Sequence, residues 1–245
     1  MKFKADEEML ARGYDANGYI SVGQKYIKVI EKFDDSLKTF CEVGSHFYYN
    51  CRLVRQMKQG KDVVIVEPLP QCVEDIKSHT KELSNVTIHE AAVADFNGEE
   101  VMYIDDMLAS FADSVKRDDI DQIRTFNNQI KVKAIKFNEV DPGNIDVLLA
   151  DCEGSEKYML NHLVSKPKLI MVESAPTGFT KEKKNELDQW FKDNDYVYLE
   201  HYDNDDVFLS KEFAEEVEEA FGHVFFMNPQ DYAVASGSYP QTIFS

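Results

Sequence analysis

Two short apolar runs in this chain each close on a carboxylate. They are Thr39-Phe-Cys-Glu-Val-Gly-Ser45, carrying Glu42, and Val63-Val-Ile-Val-Glu-Pro68, carrying Glu67. A helical-length segment, residues 46–59, lies between them. Acids at the carboxyl ends of parallel strands are the positions from which a βαβ unit holds a nucleoside-containing cofactor. Gly44 lets the first turn approach a ligand closely, and Ser45 and His46 continue that turn. Glu67, with Pro68 behind it, can accept both hydrogen bonds of a ribose diol. Ala91 and Ala92, beside Glu90, either let a base approach, being small, or merely pack a strand; Ala92 is the candidate adenine contact. For Glu42 and Glu67 the alternative is an ordinary strand-end turn, which the recurrence of the pattern disfavours.

A second constellation follows the longest apolar run, Ile145–Ala150, which closes on Asp151-Cys-Glu-Gly154. Asp151 and Glu153 could face a cofactor, bind a substrate hydroxyl, act as a general base or hold a divalent metal. Alternatively, Glu153 caps the next helix. Glu173, at the end of the Leu169–Val172 run, brings a third acid to the same edge. His46 either touches a ligand or packs in the first turn, and the other histidines lack ligand spacing, so no metal ligand is assigned. Phe47, Tyr48 and Tyr49 read as core. Asp203-Asn-Asp-Asp206 and Asp193-Asn-Asp195 read as polar turns, since they lack the glycine and spacing of a calcium loop. Ser110 and Arg124 are possible substrate contacts by location alone.

The elements that must position these groups alternate. Helices are predicted over Val22–Phe33, Gln71–Leu83, Ser155–Leu163 (capped by Ser155) and Thr180–Lys192. Strands are predicted at 38–43, 62–67, Val86–Val93, Glu99–Ile104, Lys131–Phe137, Ile145–Ala150 and Leu169–Val172, with Tyr196–His201 and Val207–Leu209 as a closing antiparallel pair. Residues 105–128 show no clear strand and read as a lid or a partly helical insertion. The whole is a doubly wound, mostly parallel seven-stranded α/β sheet with a terminal antiparallel hairpin. Residues 1–36 form an N-terminal helical extension, 37–210 the domain, and 211–245 a C-terminal helix and tail packed on it.

At 245 residues and 43% hydrophobic content the chain suits one well-buried domain. Its formal net charge of −18 argues against broad contact with nucleic acid or anionic lipid. No stretch approaches the ~20 apolar residues of a membrane span, and the start has no apolar core of signal-peptide type. Cys41, Cys51, Cys72 and Cys152 show no disulfide or metal pattern and read as reduced residues of a cytoplasmic protein, with Cys41 and Cys152 inside strand patterns.

Four segments together carry a family resemblance: Glu42-Val-Gly-Ser-His-Phe-Tyr-Tyr49, Val66-Glu-Pro-Leu-Pro70, Ala91-Ala-Val-Ala-Asp-Phe-Asn-Gly98 and Asp146-Val-Leu-Leu-Ala-Asp-Cys-Glu-Gly-Ser-Glu156. In this order the chain resembles the FkbM family of S-adenosylmethionine-dependent methyltransferases, from about Phe40 to Leu209. The resemblance implies a Rossmann-like class I methyltransferase fold and S-adenosylmethionine as cofactor. It places Asp151 and Glu153 in an active site, where Glu173 either completes a cluster of three catalytic acids or is an ordinary strand-end acid. The expected reaction is O-methylation of a small molecule or saccharide, with Asp151 as base and Glu153 assisting. Tyr48 stands where the family usually carries a second glycine, and Leu149 where a lysine is often seen. These departures support an alternative, a non-catalytic cofactor-binding or interaction module. A nicotinamide-dependent oxidoreductase fits less well, because there is no G-x-G-x-x-G turn and the chain closes on a hairpin.

Overall fold

The computed structural model describes residues 25–105, 108–111, 128–174, 181–202 and 204–226. In chain order the elements begin with α1 (Lys25–Lys32), β1 (Thr39–Val43), α2 (Val54–Lys58), β2 (Asp62–Glu67), α3 (Pro70–Thr80), β3 (Val86–Glu90) and β4 (Ala92–Val93). Then come β5 (Gly98–Asp105), β6 (Leu108–Phe111), β7 (Asn128–Ile135), β8 (Val147–Ala150), α4 (Glu156–Asn161) and β9 (Leu169–Glu173). The chain closes with α5 (Lys181–Asp193), β10 (Tyr196–Tyr202), β11 (Asp205–Ser210) and α6 (Lys211–Phe221).

The unbroken apolar runs become the middle of a seven-stranded sheet ordered β10-β11-β9-β8-β1-β2-β3. β1, β8 and β9 are buried at every residue, as strands covered on both faces must be. The strand period of two sends alternate side chains to opposite faces. Val147 and Leu149 join Phe40, Val29 and Ile30 of α1, and Phe213 and Val217 of α6. Leu148 and Ala150 join Cys41, Met159 of α4, and Leu187 and Phe191 of α5 on the other face. Only β11 runs against its neighbours; β1, β2, β3, β8 and β9 pair in parallel. This is the predicted doubly wound sheet with its antiparallel closing pair. The chain leaves β1 for β2 and β3, then returns to the other side of β1 as β8 and β9. The boundary between β1 and β8 is therefore the switch point, outside whose carboxyl ends an open α/β sheet forms its crevice.

The structure corrects several local expectations. Of residues 46–59 only Val54–Lys58 is α-helical, because positive φ at Gly44 and His46 sends the chain through turns before a helix can start. The predicted strand Val86–Val93 is two strands: it breaks at Ala91, and β4 joins a second sheet ordered β4-β7-β5-β6. That sheet was not anticipated. It includes β6 within the segment read as strandless, where Ser110 pairs with Tyr103. Arg124 and the lid reading of 112–127 lie outside the described residues, as do residues 1–24, Asp203, the Thr180 helix start and the tail 227–245. Cys152 follows β8 and lies outside any strand. All four cysteines are free, and no described helix is long and apolar enough to cross a membrane.

Asp205 and Asp206 open β11 instead of forming a solvated turn. Polar partners account for their burial: Arg52 pairs with Asp205, Lys184 pairs with Asp206 at 2.6 Å, and His201 Nδ1 lies 2.7 Å from the Asp206 carboxylate.

Candidate functional site

Two loops meet at the switch point. Gly44, at φ +80°, ends β1 so close to the loop after β8 that an added Cβ would lie 1.8 Å from the carbonyl oxygen of Asp151. Backbone bonds fix this contact: the Asp151 N–H donates to Val43 O and the Gly44 N–H to Val66 O, both at 2.9 Å. Glycine is required here by both its dihedral and its missing side chain.

Glu67 ties the first loop to β2. Its Oε2 accepts the His46 N–H at 2.8 Å and its Oε1 the Leu69 N–H at 2.9 Å. Each oxygen keeps a further lone pair, which is what a ribose diol needs. Burial pushes the Glu67 carboxyl up to about 7, against the opposing pull of those two N–H donors. Glu42 is turned to a structural task as well. Both of its oxygens lie 3.0 Å from the Arg52 N–H, and Oε2 accepts the Cys51 thiol at 2.8 Å. Burial raises its carboxyl too, with the Arg52 charge opposing.

The second loop is built by Glu156, whose Oε1 accepts the N–H groups of Cys152 at 3.1 Å and Gly154 at 3.3 Å. The predicted Ser155 cap makes no side-chain cap bond; Glu156, the first helical residue, ties down the preceding loop. The loop turns through left-handed backbone at Glu153, φ 52°, and Gly154, φ 103°. A non-glycine residue held there is the kind of local strain that clusters at ligand sites. Asp151 accepts from Arg52 Nη2 at 3.0 Å, while Arg52 Nη1 forms an ion pair with Asp205 at 3.1 Å. Carboxylate oxygens of Asp151, Glu153 and Glu173 all lie within 4.8 Å of one another. Burial, and then the charges of Asp151 and Glu153, push the Glu173 carboxyl far above the usual range.

The resulting cleft holds about 360 Å³, within the range of small-molecule sites. Glu42, Gly44, Ser45, His46, Glu67, Pro68, Ala92, Asp151 and Glu153 all line it. Glu173 does not, and reaches the site through the acid cluster. Ser45 Oγ and His46 Nδ1 are buried with no hydrogen-bond partner, an arrangement that a polar ligand relieves. Burial also lowers the basicity of His46. Ala91 at the strand break, with Ala92 and Met102 of the second sheet, supplies an apolar wall suited to a base. With the glycine cradle and the Glu67 lone pairs, the residues present fit a nucleoside cofactor bearing an amino-acid moiety.

Arg52, Met102 and Glu156 were not anticipated as site residues. Arg52 had one local clue, a cation set between Cys51 and Leu53 in an otherwise apolar stretch; Met102 had none. Tyr48 does not crowd the cleft. It is buried in the apolar cluster, stacks on His79 at 4.7 Å, and its N–H donates to Asp75. Leu149 belongs to that same cluster.

The strand order and the switch-point acids define a doubly wound, Rossmann-like α/β fold. Residues 42–198 match the FkbM methyltransferase domain, and the chain belongs to that family, whose cofactor is S-adenosylmethionine. Similar solved structures include a candidate caffeoyl-CoA O-methyltransferase from Staphylococcus aureus, 11% identical, covering 84% of this chain and 91% of that one at a TM-score of 0.48. The S-adenosylhomocysteine-bound methyltransferase PaMTH1 of Podospora anserina is 12% identical, with 84% and 85% covered and a TM-score of 0.43. The magnesium protoporphyrin IX methyltransferase ChlM of Synechocystis PCC 6803, solved with S-adenosylmethionine, is 8% identical, with 75% and 76% covered and a TM-score of 0.41. No curated protein matches the chain.

Proposed function

We propose that this methyltransferase acts on an oxygen, the hydroxyl of a small molecule or saccharide, with Asp151 as general base. The observation that carries this reading is the setting of Asp151. Its side chain is 37% exposed and held by Arg52, while its backbone carbonyl packs against Gly44 in the cleft wall. Of the nearby acids, Glu42 and Glu156 are engaged by backbone N–H groups and Glu173 is buried. When bound, S-adenosylmethionine supplies an electrophilic methyl group on a sulfonium, so the protein's task is alignment, exclusion of water and removal of one proton. Glu67 holds the ribose diol, while Ser45 and His46 meet polar groups of the amino-acid end. The Asp151 carboxylate would take up the proton that the acceptor hydroxyl loses on methylation. Glu153, on the same turn, orients the acceptor.

The test is Asp151→Asn, assayed by calorimetry with S-adenosylmethionine and by S-adenosylhomocysteine release against a panel of hydroxylated acceptors. Cofactor affinity is expected to hold while turnover falls by about 10²–10⁴, the usual worth of a positioned base. Undiminished turnover removes Asp151 from the mechanism.

A further inference from the structure

We propose that Asp151, Glu153 and Glu173 form a binding site for one hard divalent cation beside the cofactor cleft. The sequence brought the three acids to one edge and named a divalent metal among their uses without assigning a ligand, because Glu173 follows Glu153 by twenty positions and no local spacing fixes their approach. The sheet makes the connection. β8 and β9 are parallel neighbours with Ala150 opposite Val172, so the residues that follow, Asp151 and Glu173, emerge side by side. The left-handed turn at Glu153 returns its side chain to the same point.

Three observations point to a cation. First, the three ligand oxygens lie within 4.8 Å of one another. Oxygens sharing one ion are separated by at most twice the metal–oxygen distance, about 4.6–5.2 Å for calcium and about 4.0–4.2 Å for magnesium. A separation of up to 4.8 Å lies within the longer calcium limit and about 0.6 Å beyond the magnesium one, so the set suits the larger ion as it stands. Second, Glu173 is only 7% exposed, and its Oε2 is buried with no hydrogen-bond partner. A buried carboxylate oxygen left unmatched is rare in folded proteins, and this carboxylate faces two others. Third, the donors are all oxygen, a set that suits magnesium, manganese or calcium ahead of zinc. The neighbouring cation, Arg52, is already engaged with Asp151 and Asp205.

Three protein ligands leave the remaining positions of a six- to eight-coordinate ion to water or to a substrate oxygen. Because Asp151 and Glu153 line the cleft, those positions are accessible from it. An acceptor hydroxyl bound there would lose its proton more readily. That consequence rests on the proposed O-methylation; the binding of the cation does not.

The experiment is a Mn²⁺ titration of the chelator-treated full chain, following the EPR signal of free Mn²⁺, with Mg²⁺ and Ca²⁺ as competitors. One saturable site per chain is expected. Glu173→Gln and Glu153→Gln should each weaken it at least about tenfold. Glu186→Gln, which alters an exposed pair with Lys157, should leave it intact. Cation should also raise the melting temperature of the wild type and of neither site variant. Should Glu173→Gln not fold, Glu153→Gln, on a partly exposed turn, decides the matter. Non-saturating binding that is equal in every variant would mean diffuse attraction to an acidic chain, and it would overturn the proposal, as would no binding. A parallel S-adenosylmethionine titration without metal keeps the two readings apart. Cofactor binding with no manganese site refutes the cation site alone. A manganese site without methyl transfer to any hydroxyl refutes the O-methylation reading alone.

Discussion

Replacing Gly44 by alanine should damage the protein in a way that its sequence neighbours' chemistry does not suggest. The new Cβ would sit 1.8 Å from the Asp151 carbonyl oxygen, whereas ordinary contact begins at 3.4 Å, so the two loops must part by about 1.6 Å. The residue also sits at φ +80°, where a side chain costs about 1–2 kcal/mol. Gly60 provides an internal control: its φ is +79° and nothing lies within 4 Å of the Cβ it would gain. Gly60→Ala therefore measures the dihedral cost alone, and the difference between the variants isolates the overlap, about 1–3 kcal/mol by the usual cost of overpacking. At about 2–4 °C per kcal/mol for a chain of this size, Gly60→Ala should lower the melting temperature by about 2–8 °C. Gly44→Ala should lower it by about 4–20 °C. The second readout is cofactor affinity. Displacing Asp151 and His46 disturbs the cleft itself, so Gly44→Ala should lose at least about tenfold in affinity for S-adenosylmethionine, while Gly60→Ala keeps wild-type binding. Equal melting temperatures for the two variants, with binding intact in both, would refute the close approach of the loops.

Two further outcomes follow from the charges. Arg52→Met removes the cation between Asp151 and Asp205 and should destabilise the protein by about 3 kcal/mol. In a double-mutant cycle with Asp205→Asn the coupling should be about 0.5–3 kcal/mol, and strict additivity would remove the ion pair from the account. Glu67 keeps its proton in the folded state up to about pH 7, whereas an unfolded glutamate releases it near 4.5. Between those values the folded chain binds more protons than the unfolded one, so stability falls as pH rises through that window, by at most about 3 kcal/mol. Relative to Glu67→Gln, the wild type should lose melting temperature from pH 4.5 to 7 and no more above it; parallel profiles would contradict the burial of this acid.

The central strands were legible because the physics that selects them is local. A run such as Val147–Ala150, apolar at every position, has no stable place except a strand covered on both faces. An acid that closes such a run stands at the strand's carboxyl end, so Glu42, Glu67 and Asp151 could be assigned to one edge before any coordinates. Local rules failed where a distant group intervened. Residues 46–59 carry a helical composition, yet Glu42 and Asp75 capture the N–H groups of Arg52 and Tyr48, and the segment runs through turns until the helix starts at Val54. Ser155 stands at its helix cap, but Glu156 takes the free N–H groups of that loop.

By itself the sequence determined the central strands, the doubly wound class and the acids that close the strands, since strand formation and strand ends are written in runs of a few residues. Only the tertiary structure decided how those acids divide their work. Glu42 is engaged by backbone, Asp151 is steadied by an arginine 99 positions away, and Glu173 is brought against Asp151 and Glu153. The physical reason is that a carboxylate's role depends on its burial and on the donors around it. Those are set by which strands lie side by side, and no spacing along the chain records that.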